Sequence, residues 1–99
     1  MIIAYKNKKL ERICLDQSIA RKQYGQRMAD YIQQRIQEIE AAETVEELIR
    51  YGIGRCHPLK GSRQGQYAMD LEQPHRLVFT VKHGVVQIAR VEEIVKDYH

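Results

Sequence analysis

Residues 66–81 read QYAMDLEQPHRLVFTV. Tyr67, Met69 and Leu71 alternate with Gln66, Ala68 and Asp70, and Leu77, Phe79 and Val81 alternate with Arg76, Val78 and Thr80. A period of two places successive side chains on opposite faces, so the stretch predicts two strands joined through Glu72-Gln73-Pro74. One face is apolar. The other bears Gln66, Arg76 and Thr80, and an antiparallel sheet can leave such a face in water. A wet, partly basic sheet face with Arg76 pointing into it is a natural binding surface. His83-Gly84 predicts a short turn into a last strand from Val85 to about Val91 or beyond.

Upstream of these strands the pattern is helical. Ile2, Ile3 and Tyr5 predict a short opening strand, and Lys8 to Leu15 a short helix. From Ser18 the apolar residues fall at Ile19, Tyr24, Met28, Tyr31, Ile32, Ile36 and Ile39. This spacing predicts one amphipathic helix running to about Ala42, capped by Ser18 or Asp16, with Gly25 tolerated inside it. Thr44-Val45-Glu46-Glu47 is a capping-box pattern that opens a further helix to about Arg50, and Gly52 and Gly54 stop it. Helices first and an antiparallel meander after them predict an α+β fold. It would be one two-layer domain over residues 1–99, with N-terminal helices packed on a small antiparallel sheet. The helices should cover the face of Tyr67, Met69, Leu71, Leu77, Phe79 and Val81.

Composition narrows the function classes. The chain is 43% hydrophobic and 29% charged, with no low-complexity tract. No run is apolar enough to cross a bilayer, and the opening MIIAYKNKKL does not read as a signal peptide, so a cytoplasmic protein is expected. Cys14 and Cys56 form no CxxC pair, and no two of the four histidines share a zinc-site spacing, so reduced thiols and no metal site are expected. The net charge is +3 and the pI about 9.0. Between Glu47 and Asp70 there is no carboxylate, and this gap holds Arg50, Arg55, His57, Lys60 and Arg63. A cationic stretch without counter-charges is a candidate phosphate-binding surface, and equally a solvated loop.

The string HPLKGSRQGQYAMDL at 57–71, followed by PHRLVF at 74–79 and DYH at 97–99, resembles the RelE/ParE toxin superfamily. The likeness is to the HigB-like killer-protein branch of type II toxin–antitoxin systems. The residues that carry it are His57, Leu59, Gly61, Arg63, Gly65, Gln66 and Tyr67, then Pro74, Arg76, Leu77 and Phe79, then Asp97, Tyr98 and His99. The resemblance implies an mRNA endoribonuclease that works in the ribosomal A site without metal or other cofactor. The ribose 2′-OH would attack the adjacent phosphate, leaving a 2′,3′-cyclic phosphate and a 5′-OH. It also implies a monomeric toxin silenced by a cognate antitoxin, usually a HigA-like helix-turn-helix protein.

That reaction needs a base for the 2′-OH proton, an acid for the leaving oxygen, and cations on the phosphorane. By resemblance, His57, Lys60, Arg76, Tyr98 and His99 are the expected catalytic set. Arg55, Arg63, Gln66 and Asp97 are expected to bind RNA. His57 and His99 can each act as acid or base near neutral pH, and the sequence does not decide between them. Arginine offers phosphate a two-pronged fork. Taken singly, each residue has a plain structural reading: His57 in a loop before Pro58, Lys60 and Arg63 solvating a turn, Arg76 paired across strands with Asp70. Two other functions fit the same fold, a ParE-like gyrase inhibitor that acts by binding and an RNA-binding relative that does not cut.

Overall fold

The computed structural model describes residues 1–96, and Asp97, Tyr98 and His99 lie outside the described residues. Capping side chains set the helix starts. Asn7 accepts from the Leu10 amide and opens α1 (Lys8–Leu15); Asp16 accepts from the Ser18 and Ile19 amides and opens α2 (Gln17–Tyr24). Thr44 accepts from the Glu47 amide and opens α4 (Val45–Arg50), which is one half of the expected capping box; the Glu47 carboxylate accepts from the Glu43 amide at 3.3 Å.

The single helix expected from Ser18 to Ala42 is two helices. Gly25 has φ +92, outside the range of a helix and open only to glycine, and it ends α2 and begins α3 (Gln26–Ala41). Its amide donates to Arg21 and its carbonyl accepts from Ala29. The chain turns there and α2 folds back on α3, where Gln17 Nε2 donates to Asp30 Oδ1 at 2.9 Å and to Gln33 Oε1 at 3.2 Å. The apolar spacing survives because both helices bury their stripes in one core: Ala20 from α2 and Met28, Ala29, Ile32, Ile36 and Ile39 from α3.

Five strands form one sheet: β1 (Ile2–Tyr5), β2 (His57–Pro58), β3 (Gln66–Asp70), β4 (His75–Lys82) and β5 (Ile88–Lys96), in the order β1-β5-β4-β3-β2. The β2-β3-β4-β5 meander is antiparallel, and β1 joins β5 in parallel with Ile2 opposite Ile88. The last strand starts later than expected. Residues 83–87 make a longer connection, and Val85 and Val86 stand exposed in it. Met69, Leu71, Leu77, Phe79, Ala89 and Val91 meet the helices in the core, with Tyr67 and Val81 partly buried against them. Each large apolar side chain removed from water there contributes roughly 1.5–3 kcal/mol. A bulge between Val78 and Phe79 opposes Val78 to Glu93 but Phe79 to Val91, so one extra residue, Glu92, sits in β5. No helix of the described residues is long and apolar enough to cross a membrane.

Candidate active site

The register builds the outer face of the sheet. Residues directly opposite in antiparallel strands share a face. His57 lies opposite Ala68, Ala68 opposite Val78, and Val78 opposite Glu93, so these four form one row. The next row is Asp70, Arg76 and Val95, and the one beyond Val78 is Gln66, Thr80 and Arg90. Ala68 and Val78 are fully buried although they face away from the helices. The covering element is the β2–β3 connection, closed by the Leu59 amide donating to the Gln66 carbonyl at 2.8 Å, with a 3-10 turn at Gly61–Arg63. The outer face is therefore a hooded cleft instead of a bare wet surface.

Beneath the hood is a cavity of about 230 Å³ lined by Leu59, Arg63, Ala68, Arg76, Val78, Val95 and Lys96. Its floor is apolar and three of its walls are cationic. On the far side of the hood Lys60 lines a cleft of about 570 Å³ with Pro58, Gln64, Gln66 and Tyr67. A cleft of similar size, about 540 Å³, lies elsewhere between the α3–α4 turn and residues 84–87, lined by Glu40 and Glu43 and no Lys, Arg or His side chain. The cationic side chains gather instead around the hood, where Arg63, Arg76 and Lys96 line one cleft and Lys60 the other.

The cations are not free of counter-charges, as the local sequence suggested. Arg63 Nη1 meets Glu93 Oε1 at 2.8 Å and Gln66 Oε1 at 3.1 Å. Arg55 Nε lies 3.4 Å from Asp70, which sits across the strands from Arg76. Arg76 has contacts of its own. The Arg63–Glu93 pair is 45% and 40% exposed, which makes it a bridge worth about 0–1 kcal/mol and easily exchanged. The far end of the face is neutral, with Thr80 donating to Glu92 at 2.8 Å and Arg90 at 3.7 Å from the same carboxylate.

His57 is held by the backbone. Its Nδ1 lies 2.8 Å from the Arg55 carbonyl oxygen. A carbonyl only accepts, so the proton of this bond sits on Nδ1, and the neutral ring keeps its lone pair on Nε2. Among the described residues no three His, Cys, Asp or Glu side chains are grouped to hold a metal ion.

No family model matches the sequence. Over 70 residues, 71% of this chain and 71% of the relative, the sequence is 36% identical to the endoribonuclease HigB of Proteus vulgaris. The chain belongs to the RelE/ParE toxin superfamily. Solved structures of this superfamily share the fold along the whole chain. The YoeB/ParE toxin of Agrobacterium tumefaciens superposes with a TM-score of 0.68 at 19% identity, covering 99% of this chain and 100% of that one. The YoeB-YefM complex of Staphylococcus aureus gives 0.65 at 21% identity, covering 99% and 98%.

Within this RelE/ParE toxin, His57, Arg63, Gln66 and Arg76 share the outer face. Lys60 lines the neighbouring cleft, and Arg55 reaches the site's edge through Asp70. The expectations placed on Asp97, Tyr98 and His99 lie outside the described residues. Sequence reasoning missed Glu93 and Lys96. The signal for Glu93 was the inner-facing series Ala89, Val91, Ile94, whose step of three marks the bulge and turns Glu93 toward the site.

Proposed function

We propose that this toxin is an mRNA endoribonuclease that cuts in the ribosomal A site by attack of the 2′-OH on the adjacent phosphate. The observation that carries the reading is the shared face of His57, Arg63 and Arg76 over an apolar floor, in a chain similar to an endoribonuclease. Arg76 takes the charge that builds on the phosphorane, where a fixed donor in a partly dry cleft acts most strongly. Arg63 and Lys60 hold flanking phosphates, and Arg63 exchanges Glu93 for one of them. Arg55 and Gln66 extend the RNA track. His57 takes the 2′-OH proton on Nε2, and His99 returns a proton to the leaving 5′ oxygen, with Tyr98 against a base and Asp97 beside the RNA. These side chains supply acid, base and charge, so the mechanism calls for no metal.

A toxin with so few acid–base groups gains from a substrate ordered by the ribosome, because positioning alone removes much of the barrier. The toxin acts as a monomer in the cytoplasm and is silenced by a cognate antitoxin, which we take to be HigA-like with a helix-turn-helix. An antitoxin partner is supported by the YoeB-YefM complex among the structural neighbours. The test is a translation extract programmed with one defined mRNA. Chelator-treated, dialysed toxin should cut it at discrete sites, leaving 2′,3′-cyclic phosphate ends, and antitoxin should stop the cutting. An intact message in an extract whose translation is nevertheless blocked would refute the reading.

A further inference from the structure

Arg35 lies in the middle of α3, on the helix side of the sheet, and is 8% exposed. A buried guanidinium needs partners for its charge, and this one has three contacts. Nη1 meets Glu38 Oε1 at 2.9 Å, the guanidinium lies over the Tyr31 ring at 5.5 Å, and Nε donates to the Asp70 carbonyl oxygen at 2.6 Å. Asp70 is the last residue of β3. Its side chain points the other way, to the outer face, where it meets Arg55 at 3.4 Å.

Arg35 also backs the turn that carries Arg55. A Cβ added to Gly54 would lie 2.8 Å from Arg35 Nε and 2.9 Å from Met69 Cε, so the turn rests directly on these side chains. Arg55 itself has φ +54, an uncommon conformation for a residue with a side chain, which persists only where the surroundings impose it. That conformation accompanies the placement of the Arg55 carbonyl 2.8 Å from His57 Nδ1. Arg35 thus touches the two parts, the β3 end and the Gly54 turn, that together fix the carbonyl on which His57 leans.

We infer that Arg35 is a positioning residue: through Asp70 and the Gly54–Arg55 turn it holds His57 in the Nδ1–H tautomer, with Nε2 presented to the RNA. The inference rests on the proposed role of His57 in proton transfer, but its test uses no RNA. Nitrogen-15 NMR of the imidazole, recorded above the histidine's titration, reports which nitrogen carries the proton. The wild-type toxin should show a His57 protonated on Nδ1. Arg35→Met should lose that signature and shift toward the Nε2–H form that a free histidine side chain favours. Asp70→Ala keeps the backbone carbonyl and removes the carboxylate that meets Arg55, so it should shift the same way, and it serves where Arg35→Met does not fold. Glu38→Gln weakens the buried pair without freeing the Asp70 carbonyl and should leave the tautomer unchanged. A His57 signature that stays Nδ1–H in the folded Arg35→Met or Asp70→Ala protein would overturn the inference. RNA cutting that survives His57→Ala would instead refute the catalytic role of His57 and leave the tautomer result standing.

Discussion

Gly54→Ala offers a quantitative test of how the site is buttressed. Two costs add. The residue sits at φ +58, where a Cβ meets its own backbone, and for alanine this costs about 1–2 kcal/mol. The new Cβ would also stand 2.8 Å from Arg35 Nε, 2.9 Å from Arg35 Cδ and 2.9 Å from Met69 Cε. Arg35 cannot retreat without losing its bond to the Asp70 carbonyl, and Met69 is fully buried. Overpacking of this kind costs about 1–3 kcal/mol, for a total of roughly 2–5 kcal/mol. Gly52→Ala is the internal control. It shares the backbone strain at φ +62 but finds nothing within 4 Å, so it should cost only about 1–2 kcal/mol. Urea unfolding of the two variants, compared at equal m-value, reads the difference. The expected gap of about 1–3 kcal/mol corresponds to at least about 4 °C in Tm for a domain of this size. Equal losses in the two variants would refute the claim that the turn rests on Arg35 and Met69.

Burial pushes the Cys14 and Cys56 thiols up to about 12, so neither should react with iodoacetamide in the native protein at pH 8, while both should react in urea. The fold prefers these thiols protonated, so their contribution is complete below the unfolded thiol value near 9.0 and is lost as pH rises toward 12, and Tm should fall across that window. Asp16 behaves in the opposite sense. The Ser18 hydroxyl, then the Ser18 amide, holds its carboxyl below the usual range, so its contribution is present above the unfolded value and lost as pH falls through the folded one. Asp16→Ala should therefore lower Tm at pH 7 and match wild type more closely near pH 2. An unchanged gap would show that the cap acts without its charge.

The alternation in residues 66–81 made β3, β4 and their shared apolar face legible, because a half-buried antiparallel strand writes its two faces directly into the sequence. The capping box at Thr44 did the same for α4. What stayed hidden depended on partners distant in the chain. Four residues of β1 carry nothing that names β5 as a parallel neighbour. Gly25 read as a tolerated helix residue because the apolar spacing runs straight across it; only packing of α2 against α3 decides that the chain turns. The candidate site was legible as a set of residue types at 57–76. Its electrostatics were not, since Glu93 reaches Arg63 from β5, 30 residues further along the chain, and the bulge that turns it there is a tertiary feature.

If the hooded outer face cuts RNA, primer extension on cellular mRNA after brief induction will show the cuts. Wild type, His57→Ala and Arg76→Ala should be compared, each shown to be folded and to bind antitoxin. Discrete new 5′-OH ends are expected at in-frame codon positions with wild type, and none with either variant. Growth arrest by the wild type without new ends, or the same ends from both variants, would contradict it.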